Sequence, residues 1–126
     1  MKKLLPILAT VLVLAVGAAD GLAADFETGV KAFNRNDYKA AEKIFIDLAR
    51  KGDGESQFFL AMMYKDGRSV KRDRAKAHMF ASLAADRGFD NAVMLRKLIV
   101  KRMNKTELTR AMRMARDWVK KYPAAK

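Results

Sequence analysis

The chain holds one histidine, His78, and no cysteine, which narrows its chemistry from the start. Without cysteine there is no thiol nucleophile, no thiolate metal site, no disulfide framework and no cysteine for a lipid anchor. A serine hydrolase needs a base beside its hydroxyl. Ser56, Ser69 and Ser82 have no histidine next to them in sequence, and His78 alone serves one of them at most. A metal site or a general base needs convergent partners, so a lone histidine in a helical pattern reads as a packing or surface residue. The carboxylates are scattered. Asp37 and Asp73 stand where helices should begin, Glu107 sits in a capping pattern, and no pair reads as acid and base. The stretch KDGRSVKRD has glycine and cations but lacks the GxxxxGK(S/T) order of a phosphate loop. The sequence therefore points to no enzyme, no cofactor and no metal.

Two sets of residues suit binding instead. Arg110, Arg113, Arg116 and Lys120 recur three or four residues apart and form one basic side of a helix. Arg96, Lys97, Lys101 and Arg102 form a second basic cluster. These eight are the candidate partner-binding face, suited to an acidic protein or an anionic surface, against the plainer reading of a solvated face. The methionines at 62, 63, 79, 94, 103, 112 and 114 are first of all core filler, and second an adaptable groove.

The charge that these clusters carry is unevenly spread. Of the net +12, residues 24–66 contribute 7 basic and 8 acidic side chains, and residues 67–126 contribute 17 basic and 5 acidic. Such asymmetry raises the question of nucleic acid. The first residues argue against it. MKK is a basic start, LLPILATVLVLAVGAA is a short apolar run, and Gly21-Leu22-Ala23 fits a small-x-small cleavage site. We expect a signal peptide over 1–23, cut after Ala23, and a periplasmic or secreted domain over 24–126. The apolar run of 16 residues is shorter than the roughly 18 of a spanning helix, the alternative being a retained anchor. An exported protein meets anionic lipid, envelope polymer or acidic protein rather than regulated nucleic acid.

The rest of the chain must position these side chains, and its pattern is helical throughout. Pro123 is the only proline after the signal segment, valine and isoleucine are sparse, and no strand-like alternation persists. Six helical segments follow. The first runs from about 25 to 34. Asp37 caps the second, to about 51, with Ala40, Ala41, Ile44, Phe45 and Leu48 as its stripe. The third spans about 54–65 with Phe59, Leu60, Met63 and Tyr64. Asp73 caps the fourth, to about 87, with Ala77, Phe80, Leu83 and Ala84. The fifth spans about 91–103, carrying Val93, Met94, Leu95, Leu98 and Ile99. Asn104 and Glu107 form a capping-box pair for the sixth, with Leu108, Ala111, Met112, Ala115, Val119 and Tyr122 as its stripe and Trp118 covering the end of the core. Gly52 and Gly88 end the second and fourth segments, where a left-handed turn is needed.

The second and fourth segments share one register. Asp37 and Asp73, Ala41 and Ala77, Ala49 and Ala85, and Gly52 and Gly88 all stand 36 residues apart. Caps, small packing residues and terminators in one register are the signature of a helix-hairpin repeat. Across 37–92 the chain resembles the Sel-one-like repeat (SLR), a relative of the tetratricopeptide repeat. Ala49, Gly52, Ser56, Leu60, Met63, Tyr64, Gly67, Val70, Asp73, Lys76, Ala77, Ala84, Ala85 and Gly88 match its pattern in order. Ser56 and Ala61 replace the usual alanine and glycine and stay small. Residues 93–122 are a weaker unit that resembles a C-terminal cap. The resemblance implies an all-α antiparallel helix-hairpin solenoid and scaffold or adaptor work on a protein partner; with the signal peptide and the missing catalytic groups, we expect a non-catalytic module of the bacterial envelope. Two alternatives remain: a basic binder of anionic lipid or polymer, and a repeat that pairs with itself through its ends.

Overall fold

The structure is a computed structural model that describes residues 25–67 and 69–125. The expected signal segment lies outside the described residues. Among those described there are six α-helices and no strand. Helix α1 covers residues 25–34. It is followed by α2 (Tyr38–Arg50), α3 (Gly54–Asp66), α4 (Arg74–Asp86), α5 (Asp90–Val100), α6 (Lys105–Lys121) and a short 3-10 turn, Pro123–Ala125. Successive helices reverse direction and stack as an antiparallel helix-hairpin solenoid. Helix α3 packs on α2 and α4, and α4 also packs on α5 and α6.

Local signals set the boundaries as the sequence predicts. The side chain of Asp37 accepts from Ala40 N at 3.4 Å, and Asp73 from Lys76 N at 3.0 Å. Asn104 and Glu107 close a reciprocal capping box at 2.8 and 2.9 Å, so the first turn of α6 satisfies its own donors. Asp53 caps α3 through Ser56 N at 3.1 Å, a cap hidden in sequence by the neighbouring glycines. Gly52 and Gly88 take φ of +88° and +90°, a conformation that costs a residue with a Cβ more than glycine.

The core runs through the middle of the stack. Phe45, Leu60, Phe80, Leu83 and Ile99 are buried in it, with alanines at 41, 49, 61, 77, 81 and 84 allowing close helix approach. At the N-terminal end, Phe26, Phe33, Phe45 and Phe59 pack ring to ring at 4.8–6.4 Å. Gly29 permits this, since a methyl there would stand 2.6 Å from the Phe45 ring. Gln57 is fully buried between helices and donates to Ala49 O at 3.2 Å, tying α3 to the end of α2.

Three expectations need correction. Helix α5 ends at Val100 rather than near 103, because the chain turns through 101–104 into the Asn104 cap. Met94 and Leu98, assigned to its apolar stripe, are 61% and 52% exposed, since α5 buries only Ala92, Leu95 and Ile99. Met112 is exposed too. Helix α6 turns Ala111, Met114, Ala115, Trp118 and Val119 toward the core instead.

The 36-residue step extends once more. The turns at Gly52 and Gly88 are followed by Ala124 at the same interval, and its carbonyl accepts from Arg87 Nη2 beside Gly52. Helices α5 and α6 thus form a third unit of equal length, built from a shorter first helix, a shorter loop and a longer second helix.

Candidate functional site

The second helices of the hairpins, α2, α4 and α6, line a groove of 340 Å³. Ile46 comes from α2, Met79 and Phe80 from α4, and Met114, Trp118 and Tyr122 from α6 and its end, with Tyr64 of α3 at the base. The aromatic rings form a continuous wall. Tyr64 stacks on Phe80 at 5.9 Å and 11°, Phe80 meets Trp118 edge-on at 5.2 Å, and Trp118 meets Tyr122 at 4.8 Å. Only one of these rings, Trp118, is an indole. Its Nε1 is buried and has no acceptor among the described residues.

The rim is charged and mostly cationic. Arg50 lies 5.2 Å over the Tyr122 ring, Lys121 lies 5.6 Å from the same ring, and Lys76 sits 5.2 Å over Tyr64. Asp117 is the one carboxylate lining the groove, against these three cations. Burial, then the neighbouring Glu42 carboxylate and Asp73, push the Tyr64 phenol up to about 12, so it stays a hydrogen-bond donor at neutral pH. Large flat rings with polar tips and flanking cations are suited to holding an apolar anchor with negative charge beside it.

Of the seven methionines beyond the signal segment, Met79 and Met114 line this groove. Met63 is in the core, Met62 and Met103 pack against it, and Met94 and Met112 face out. No pattern in sequence separates the two groove residues from the rest. Tyr64, Ala77, Ala41, Ala49 and Leu60, singled out as repeat positions, are core, while Ala85 is half-buried at the end of α4.

The eight basic residues divide between separate places. Arg110 forks onto Asp73, with Nη1 to Oδ1 at 3.3 Å and Nη2 to Oδ2 at 3.1 Å, and so ties α6 to the start of α4. Burial alone would raise the Asp73 carboxyl. The Lys76 N–H bond and the Arg110 pairing outweigh it and hold the group below the usual carboxylate range. Arg96 is half-buried and close enough to act on His78. Arg113 shares a shallow depression with Lys105 and Arg110. Lys97, Arg116 and Lys120 are exposed. Lys101 and Arg102 instead join Lys65, Arg72 and Arg74 around a different cleft.

His78 is 8% exposed, with its Nδ1 buried and unpaired among the described residues. Burial, and then the charge of Arg96, lower its basicity, so it sits in the fold as a neutral ring. Among the described residues no group of three or more His, Cys, Asp or Glu side chains is placed to hold a metal ion. No helix among them is long and apolar enough to cross a membrane.

No family model and no curated protein matches the chain. Its fold is similar to the crystal structure of a protective antigen present in uropathogenic Escherichia coli strains that displays an SLR fold, with a TM-score of 0.73 and 25% identity. The match covers 86% of this chain and 25% of that one, so this chain spans about a quarter of the neighbour's length. With six helices, two left-handed glycine turns one repeat apart and an SLR-fold neighbour across most of its length, the chain is an SLR-like helical repeat protein.

Proposed function

We propose that the chain is an exported, non-catalytic interaction module of the bacterial envelope that takes a protein segment into the groove between α2, α4 and α6. The segment would carry an apolar or aromatic anchor flanked by acidic residues. The observation that carries this reading is the groove itself: Met114, Trp118 and Tyr122 are partly exposed over a buried floor of Tyr64, Met79 and Phe80, ringed by Arg50, Lys76 and Lys121 against Asp117. Export rests on the signal-like sequence over 1–23, with the working domain over 24–126 and its last two helices closing the stack.

Met114 and Met112 supply an internal control, because they lie two residues apart on α6 and face different ways. A photoreactive amino acid at 114 should crosslink in cells to one dominant protein, and the same amino acid at 112 should not. Equal adducts at both positions, or adducts at 112 alone, would overturn the groove reading. Trp118 is the only tryptophan, so its fluorescence should shift when the captured segment is added back as a peptide.

A second reading has its own observation. Met94, Leu98 and Met112 are exposed apolar side chains on the last unit, where one further repeat would stack. Self-association through that end predicts a dimer by sizing at high concentration, lost in a Met94→Glu, Leu98→Glu variant.

A further inference from the structure

The loop from α3 to α4 and the turn from α5 to α6 lie at the same edge of the solenoid, opposite the glycine turns. Stacking therefore sums their charge. Lys65, Arg72, Arg74, Lys101 and Arg102 surround a cleft of 760 Å³, with Leu98 and Ile99 as its apolar wall and Asp66 as its one carboxylate. Asp66 is already paired with Lys65 at 3.1 Å, and Arg74 reaches toward Glu107 at 3.9 Å. Arg72, Lys101 and Arg102 have no carboxylate partner among the described residues. Both α3 and α5 end here, and their carbonyl ends add some negative charge, but with Lys65 set against Asp66 and Arg74 against Glu107, three unpaired cations still leave the cleft positive.

The position of Arg72 is built rather than incidental. Gly67 takes φ +65°, and a methyl group on it would stand 2.6 Å from Cβ and 3.2 Å from Cα of Arg72. The glycine lets the loop fold back and bring the Arg72 backbone against the end of α3. Two unpaired arginines from successive units, with a lysine beside them, match the forked geometry and multiple charges of phosphate groups better than a single carboxylate.

We propose that this cleft binds clustered phosphates, either on a free polyphosphorylated molecule or on adjacent phospholipid headgroups. It is distinct from the peptide groove, so either site can fail without the other. Titration of the full domain with inorganic tripolyphosphate at about 0.15 M salt should give saturable binding that weakens as salt rises. Arg72→Ala and Arg102→Ala, both at exposed positions, should each weaken it roughly tenfold or more. Arg113→Ala with Arg116→Ala removes twice the charge of either single variant, from α6, and should leave binding within twofold. Gly67→Ala keeps all five cations and should weaken binding by moving Arg72, with circular dichroism confirming the fold. Flotation with phosphatidylglycerol or phosphatidylcholine vesicles separates the sources. Binding to phosphatidylglycerol that the same arginine variants abolish assigns the ligand to headgroups, and tripolyphosphate binding alone assigns it to a free molecule. The proposal is overturned if neither probe binds, if citrate binds as tightly as tripolyphosphate, or if the α6 pair weakens binding as much as the cleft arginines.

Discussion

The turns at Gly52 and Gly88 have the same backbone and opposite surroundings. Both glycines are left-handed, at +88° and +90°. Both turns close with the same bonds: Gly52 N to Ala49 O at 3.1 Å and Asp53 N to Leu48 O at 3.1 Å, against Gly88 N to Ala85 O at 3.0 Å and Phe89 N to Ala84 O at 3.3 Å. A methyl on Gly88 would meet nothing within 4 Å. A methyl on Gly52 would collide with the Arg87 guanidinium, 2.8 Å from its Cζ, and with the Ala124 carbonyl. Two residues further on, Gly54 lies under the Phe89 ring, whose Cδ2 would be 2.9 Å from a methyl there and whose edge would be closer still. The second turn is folded over the first, and the C-terminal turn closes on it as well. Equivalent positions in a repeat share a conformation; they share an environment only if each has a neighbour on both sides.

The largest test of that difference is Gly52→Ala. Left-handed strain and the collision together should cost about 3 kcal/mol of unfolding free energy in urea. Asp73→Ala against Asp37→Ala comes next. Both lose an N-cap, but only Asp73 also holds Arg110. We expect about 2 kcal/mol for Asp73 and about 1 for Asp37, the excess being small because the Arg110 side chain is 46% exposed and solvent screens the pair. Gly88→Ala should cost only the backbone strain, about 1–2 kcal/mol. Equal costs for the two glycine variants would remove the stacked-turn account. Arg87→Ala placed in the Gly52→Ala background should recover about 1 kcal/mol, by clearing the colliding guanidinium.

The smallest effect is in pH. Position 42 of the first unit is Glu42, and its counterpart 36 residues on is His78. His78 is held neutral in the fold below its ordinary range, so the unfolded chain takes up its proton first. Stability should therefore fall as pH drops below about 6.5, and a His78→Leu variant should lack that step. Asp73, whose carboxyl is depressed, contributes stability above the ordinary carboxylate range and loses it as pH falls through its lower folded value. Thermal melts from pH 8 to pH 3 should show the histidine step before the carboxylate one.

Much of the architecture was legible because it is written locally. Asp37, Asp73 and the Asn104–Glu107 pair cap helices through atoms three residues away, and the glycines turn the chain through their own φ. The stripe of α5 was misread because Met94 and Leu98 have the right spacing to be buried but no further helix to cover them. In sequence Arg110 belongs only to the basic side of its helix, because its partner, Asp73, is 37 residues back. The basic residues of KDGRSVKRD lack the order of a phosphate loop and mark no site on their own. Their neighbours Lys101 and Arg102 belong to the next unit, and no pattern within one unit reveals them.

By itself, then, the amino-acid sequence determined the helical class, the 36-residue step, the caps and the reversals, since each depends on contacts within a turn or two of helix. Only the tertiary structure decided that Gly52 is covered and Gly88 open, that Trp118 and Met114 face Ile46 across a groove, and that two loops pool their charge. Those outcomes depend on side chains a whole repeat apart, which meet only after the units have stacked.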